Sequence, residues 1–301
     1  METYITPKSF TASRVERVAT GFAFTEGPVW SDQRDALLFT DIPNSRIHLL
    51  TRDGELSIFR EPSDMANGLS FGPDGRLVAC EHATSRVTAT SRDGEIQVLA
   101  QSYEGKQLNS PNDVVVRSDG RIYFTDPLYG RSAPVGIDRD PELDFQGVYM
   151  VGPGGGEPTL LSRDFVAPNG LCFSPDESLL YVNDSERHNI MVFSVLSDGT
   201  LDEGSVYFAQ DGDPSTGVPD GMKVDSSGAV LCSGPGGIWR TTPHGDLIEI
   251  LAVPEVVANF GFGGPERDLL YIAASTSLYR VDVAVPGLVA AAIASTETPK
   301  E

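Results

Sequence analysis

Cysteine is scarce. Cys80, Cys172 and Cys232 are the three in 301 residues, too few and too scattered for a disulfide framework or a paired C-x-x-C metal motif. Each lies in an apolar run and reads as a small buried thiol. Cationic side chains are also few: 22 Lys and Arg against 43 Asp and Glu give a formal charge of −21. Such a field repels nucleic-acid phosphates and anionic membrane surfaces, but it does not exclude metal cations. No apolar run approaches the roughly 18 residues of a membrane span. The first ten residues lack the basic and apolar regions of a secretory signal. The expectation is therefore a cytoplasmic protein without nucleic-acid or membrane partners. Hydrophobic residues at 40% and charged residues at 22% are ordinary for a globular chain. With 31 Gly and 21 Pro there are many turns and little room for long helices.

Internal repetition decides the fold class. Six segments share an apolar strand, a turn rich in Asp, Gly or Pro, and a second apolar strand; Val115-Val-Arg-Ser-Asp-Gly-Arg-Ile-Tyr-Phe-Thr-Asp126 is one of them. A second hairpin signal follows each, as in Arg86-Val-Thr-Ala-Thr-Ser-Arg-Asp-Gly-Glu-Ile-Gln-Val-Leu99. Two hairpins per unit, recurring every 39 to 57 residues, predict an all-β, six-bladed β-propeller with four-stranded antiparallel blades. The last unit is short, and the strand near Arg14–Ala19 is expected to complete it and close the ring. Residues 1–301 thus read as one domain, with 1–13 an N-terminal extension and 284–301 a C-terminal tail. The stretch Pro127–Gln146 reads as a long loop after the second strand of blade three, a place where lids and binding loops occur.

The register of the repeat exposes two rings of polar residues. Opening the first strand of each unit are Glu26, Asn67, Asn112, Asn169, Asp220 and Asn259. First strands line the channel of a propeller, so these six converge at one mouth. The second strands end at Asp41, Glu81, Asp126, Asp184, Gly234 and Ala274, which antiparallel pairing returns to the same mouth. Asn-Gly and Asp-Gly are also turn formers, a bland reading that suits Asn67 and Asn259 but not Glu26. Carboxylates crowded at one channel end raise each other's pKa unless a cation sits among them. Oxygen ligands without a His or Cys cluster point to a hard cation, Ca²⁺ first, with Mg²⁺ or Mn²⁺ as alternatives; Zn²⁺, a further alternative, is disfavoured because His48, His82, His188 and His244 show no ligand spacing.

Glu26-Gly-Pro-Val-Trp30, Ser110-Pro-Asn-Asp113, Phe124-Thr-Asp-Pro127, Ala167-Pro-Asn-Gly-Leu171 and Val218-Pro-Asp-Gly-Met222 resemble, in order, the signature segments of the SMP-30/gluconolactonase family. The resemblance implies a six-bladed propeller with one divalent metal at the channel mouth. It places the metal ligands at Glu26, Asn169 and Asp220, with Asn112 near both metal and substrate. It implies hydrolysis of sugar lactones such as D-glucono-1,5-lactone, with Asp220 as the acid/base residue or nucleophile. Animal members place a substrate-binding Arg two residues before the Asn of the Asn-Asp pair; Ser110 stands there, so those sugar contacts do not carry over. His82 lies in a segment similar to bacterial gluconolactonases and is a candidate substrate contact, or a structural histidine. Glu81 and Asp126 are open to two roles as well: bonding sugar hydroxyls, or bracing the metal loops.

The partner expected is a small lactone, bound by a monomer or weak homo-oligomer. Two other readings use the same cage: a phosphotriester or fluorophosphate hydrolase, and a non-catalytic calcium-binding propeller. Gly68-Leu-Ser70-Phe-Gly72 matches G-x-S-x-G, but Ser70 lies within a strand and lacks the strand–turn–helix elbow. Asp211–Asp220 lacks the glycine and glutamate of a calcium loop, and Gly152–Gly156 opens no helix.

Overall fold

Alternating apolar runs and tight Gly-containing turns assemble into six four-stranded antiparallel sheets. The computed structural model describes residues 8–10 and 14–288. Blade one comprises Thr25–Ser31, Ala36–Asp41, Arg46–Thr51 and Leu56–Arg60, in that spatial order from axis to rim. Blades two to five repeat the order, with inner strands Ala66–Phe71, Val114–Val116, Pro168–Phe173 and Met222–Val224. Ser70 sits inside one of these inner strands.

Blade six takes Val257–Gly263, Leu269–Ala274 and Ser277–Asp282 from the end of the chain and Glu16–Thr20 from its beginning. The expected N-terminal closing strand is thus present, pairing Glu16 with Arg280 and Thr20 with Ser277. This closure leaves the last blade no missing strand to template aggregation. The described ends are also anchored. Ser9 donates its N–H to Glu249, Phe10 enters the core, and Ala284 N–H bonds the Ser9 carbonyl at 3.1 Å.

Apolar clusters fill the space between neighbouring blades: Phe124, Tyr149 and Val87, for example, join blades two and three. The three thiols are free and buried among these clusters, as their apolar surroundings imply. Among the described residues the helical pieces are two 3₁₀ turns, Tyr129–Arg131 and Pro214–Thr216, and no helix is long and apolar enough to cross a membrane.

Inner strands are crowded where they meet the axis. In blades one, two, four and six the register shifts at the ring position, between Glu26 and Val29, Ala66 and Leu69, Pro168 and Leu171, and Val257 and Asn259. Such bulges re-aim a side chain, here the ring residue. The glycine that follows is required by the neighbouring blade. A Cβ on Gly27 would lie 2.1 Å from the Asn67 carbonyl oxygen, and one on Gly170 would lie 2.0 Å from that of Asp220. At these positions, where the pair looks like a turn signal in sequence, close approach between blades explains the glycine.

Candidate metal centre and active site

Three of the six ring residues, Glu26, Asn112 and Asn169, are held by a device that repeats in their blades. Asp41 accepts the backbone N–H groups of Ala23 and Phe24, both at 3.1 Å to Oδ1. Asp126 takes those of Asn109 and Ser110 at 2.8 Å each, one on each oxygen. Asp184 takes those of Val166 at 2.8 Å and Ala167 at 3.1 Å. In all three blades the captured amides lie three and two residues before the ring residue, at Glu26, Asn112 and Asn169. The acids ending the second strands therefore clamp the segments that enter the inner strands. The preceding residue adds a stitch to the next blade. Thr40 Oγ1 donates to the Asn67 carbonyl at 3.1 Å, Thr125 Oγ1 to that of Asn169 at 2.8 Å, and Asn183 Nδ2 to that of Asp220 at 2.5 Å.

Glu81 departs from this pattern because two arginines reach it. Fully buried, it accepts Arg60 Nη2 and Arg86 Nε at 2.8 Å, Thr84 Oγ1 at 2.8 Å and Thr88 Oγ1 at 2.9 Å. Asp126 is equally inaccessible. Of their two expected roles the geometry supports bracing, since their oxygens are committed inside the protein.

His82 is also buried. Its Nδ1 lies 2.8 Å from the Val135 carbonyl, so Nδ1 carries the proton and Nε2 accepts from Asn67 Nδ2 at 3.2 Å. Burial drives its pKa down to about 4, which keeps it neutral. His82 ties blade two to the 127–145 loop and has no ring nitrogen free for a substrate. Its bonding also fixes the Asn67 amide, turning Oδ1 away from the histidine.

Glu26, Asn169 and Asp220 come together at the mouth, each from a different blade. Glu26 is buried, and burial, with Asp113 close by, pushes its carboxyl up to about 7. Its Oε2 accepts Asn259 Nδ2 at 2.9 Å and the Gly27 N–H. Both donors land on one oxygen and leave Oε1 for another partner. Asp220 is partly exposed and raised well above the usual carboxylate range, by burial first and then by Glu26 and Asp113. Asn169 Nδ2 donates to Ser185 Oγ at 3.1 Å, which orients its amide. Ser185 Oγ in turn donates to the Pro219 carbonyl at 2.5 Å, next to Asp220.

Among the described residues the buried Oδ1 atoms of Asn67 and Asn169 and the Oδ2 of Asp113 have no hydrogen-bond partner. An orphaned buried acceptor costs about 1–3 kcal/mol. Two raised carboxylates and orphaned amide oxygens together are the donor set of a hard divalent cation, which would relieve both penalties. Nitrogen donors are not at hand: His82 is committed, and His48 stacks on Phe39 with Phe22 at its edge. The residues present fit calcium-like coordination. The Asn112 side chain is buried at the same mouth.

Two residues that sequence reasoning missed lie below the mouth. Asp113 is buried, its Oδ1 accepting the Val114 N–H at 2.9 Å. Lys223 Nζ donates to the Met222 carbonyl at 2.8 Å and to Asn259 Oδ1 at 3.4 Å. Its charge opposes the upward shifts of Glu26, Asp113 and Asp220. A signal was present: one of the four lysines falls on an inner strand, Met222–Val224, whose side chains alternate toward the channel.

Comparison with known proteins agrees with this architecture. Residues 24–276 match the family described as SMP-30/Gluconolactonase/LRE-like region. A gluconolactonase from Zymomonas mobilis is 33% identical over 296 residues, covering 89% of this chain and 80% of its own. A pentonolactonase from Haloferax volcanii is 24% identical, covering 92% and 96%. Among solved structures, a gluconolactonase from Xanthomonas campestris superposes with a TM-score of 0.85 at 30% identity, covering 91% of each chain. Matched over most of its length, this chain belongs to the SMP-30/gluconolactonase family.

Proposed function

We propose that this protein hydrolyses sugar lactones to the open aldonic acids. On this reading Glu26, Asn169 and Asp220 hold one divalent cation, calcium before other metals, with Asn112 beside it. The observation that carries the proposal is the gathering, at one mouth, of two carboxyls raised by burial and an orphaned amide oxygen. The lactonase names of the relatives supply the substrate class. When bound, the cation supplies Lewis-acid polarisation of the lactone carbonyl.

The chain's own residues do the rest. Asp220, reachable from solvent, takes a proton from the attacking water as general base or adds to the carbonyl carbon as nucleophile. In the general-base route the water oxygen bonds to that carbon and the ring C–O bond breaks. The released ring oxygen takes up the proton, giving the hydroxy acid. In the nucleophile route the ring C–O bond breaks as an anhydride forms between the acyl group and Asp220, and water then hydrolyses that anhydride to the same hydroxy acid and free Asp220. Asn112 offers its amide N–H to lactone oxygens. Ser185 and Asn259 hold Asn169 and Glu26 in orientation.

The test is turnover of D-glucono-1,5-lactone, other aldonolactones and a phosphotriester, followed with a pH indicator, for wild type and Asp220→Asn. Lactone turnover falling roughly 10²- to 10⁴-fold in the variant is expected. Phosphotriester turnover without lactone turnover, or a fully active variant, would contradict the proposal.

A further inference from the structure

Two asparagines of the polar ring are held in the same way. Asn67 and Asn169 stand second in the inner strands of blades two and four, and both side chains are buried. Each sends its amide nitrogen to the residue just past the acid that ends the paired strand. Asn67 Nδ2 lies 3.2 Å from His82 Nε2, next to Glu81, and Asn169 Nδ2 lies 3.1 Å from Ser185 Oγ, next to Asp184. Both partner atoms can only accept. The ring proton of His82 sits on Nδ1, against the Val135 carbonyl at 2.8 Å, and the hydroxyl hydrogen of Ser185 goes to the Pro219 carbonyl at 2.5 Å. A reversed amide would set oxygen against a lone pair in either blade, so the nitrogen faces the partner and Oδ1 faces away from it. In both residues that Oδ1 is buried and has no hydrogen-bond partner among the described residues.

Asn259, at the same ring position in blade six, shows the contrast. Its Oδ1 accepts the Phe260 N–H at 2.8 Å and Lys223 Nζ at 3.4 Å, and its Nδ2 donates to Glu26 at 2.9 Å. That amide is satisfied by the protein, whereas those of Asn67 and Asn169 each keep one oxygen in need of a partner. Access decides which partner. A substrate hydroxyl needs an oxygen open to the mouth, but Asn67 Oδ1 is closed to solvent. A cation seated among the ring side chains needs no such opening, and a hard one takes amide and carboxylate oxygens together. Blade two also abuts the glutamate side of the centre. The Asn67 carbonyl accepts Thr40 Oγ1 at 3.1 Å and lies 2.1 Å from where a Cβ would stand on Gly27, the neighbour of Glu26.

We infer that Asn67 is a further ligand of the divalent cation, giving its Oδ1 from blade two alongside Glu26, Asn169 and Asp220. The inference rests on the metal-centre reading and adds to the ligand set a residue that its Asn-Gly pair makes look like a turn former. An orphaned buried acceptor is unfavourable, and binding the ion removes that penalty at Asn67 and Asn169 together.

The test loads the full chain with Eu³⁺, a hard cation that takes oxygen ligands as calcium does. Luminescence lifetimes in H₂O and D₂O then count the waters bound to the ion in wild type, Asn67→Ala and Asn67→Asp. Calcium titration of the same proteins gives affinity, and thermal unfolding without metal checks the fold. Asn67→Ala is expected to gain one ion-bound water and to bind calcium at least roughly tenfold more weakly. Asn67→Asp, which keeps an oxygen at the position, is expected to hold the wild-type water count. An unchanged count in Asn67→Ala, however weak its binding, would make Asn67 a support of the ring; a water gained in Asn67→Asp would likewise detach the oxygen from the ion. Either result overturns the inference while wild-type binding keeps the metal centre. If wild type binds neither Eu³⁺ nor Ca²⁺, the metal-centre reading fails and the inference with it.

Discussion

The side-chain amide of Asn259 donates to Glu26 Oε2 at 2.9 Å, across the junction where the sixth blade meets the first. The same amide accepts the Phe260 N–H at 2.8 Å and Lys223 Nζ at 3.4 Å through Oδ1. Asn259, though a member of the polar ring, therefore acts as an orienter. It holds one glutamate oxygen and leaves the other toward the mouth, while the lysine charge sits one layer below. Propeller closure and site assembly meet at this bond.

Metal-free protein is expected to lose stability as pH rises. The folded Glu26 carboxyl lies at about 7 against an ordinary 4.5, and that of Asp126 at about 7 against 3.8. The unfolded chain gives up these protons first, so each group weakens the fold between its ordinary value and about 7. Asp113 and Asp220 are raised as well. His82 at about 4, and His48 shifted the same way, oppose this by weakening the fold as pH falls below 6.5, but the four carboxyls outnumber them. In EDTA the melting temperature at pH 8 should lie below that at pH 5.5, and added calcium should raise it more at pH 8. A higher EDTA melting temperature at pH 8, with an equal calcium shift at both, would contradict the burial of these acids.

Replacing His82 by Phe should cost stability far more than chemistry. The change orphans the Val135 carbonyl and the Asn67 Nδ2 group, about 2–4 kcal/mol by chemical denaturation. Per folded molecule, kcat/KM for a lactone is expected to change less than about threefold. A large rise in KM with unchanged stability would place the imidazole against substrate instead.

Asp184→Asn should loosen the entry into blade four. The carboxylate accepts the N–H groups of Val166, Ala167, Glu186 and Arg187, and an amide would turn a donor toward some of them. A loss of about 1–3 kcal/mol is expected, with weaker calcium binding because Asn169 lies two residues beyond Ala167. Unchanged unfolding and unchanged calcium affinity would remove the bracing role.

Much of this architecture is legible in the sequence, because a propeller repeats its turns. Asp-Gly pairs between β-rich runs mark the hairpins, and the spare strand near Val15 and Arg17 announces the closure seen against Ser277–Asp282. Glu26, Asn169 and Asp220 stand at one repeat position, so register alone brings them to one mouth. The fates of Glu81, His82 and Asp126 are not legible in the same way. Whether an acid at a strand end faces the mouth or curls back onto the amides two and three residues before the ring residue of its own blade depends on how the chain enters the blade. His82 is settled by a loop that returns over 50 residues later to offer the Val135 carbonyl. Asp113 and Lys223 become visible as site residues only when inner strands from separate blades share one channel.

The most direct measurement is a calcium titration of EDTA-stripped protein, following heat of binding and D-glucono-1,5-lactone turnover on the same preparation, with Glu26→Gln alongside. The expected result is one calcium per chain, lactone turnover rising in step with occupancy, and at least tenfold weaker binding in the variant. Full turnover in the stripped protein, or calcium binding that is indifferent to Glu26, would contradict a metal centre at the mouth of the channel.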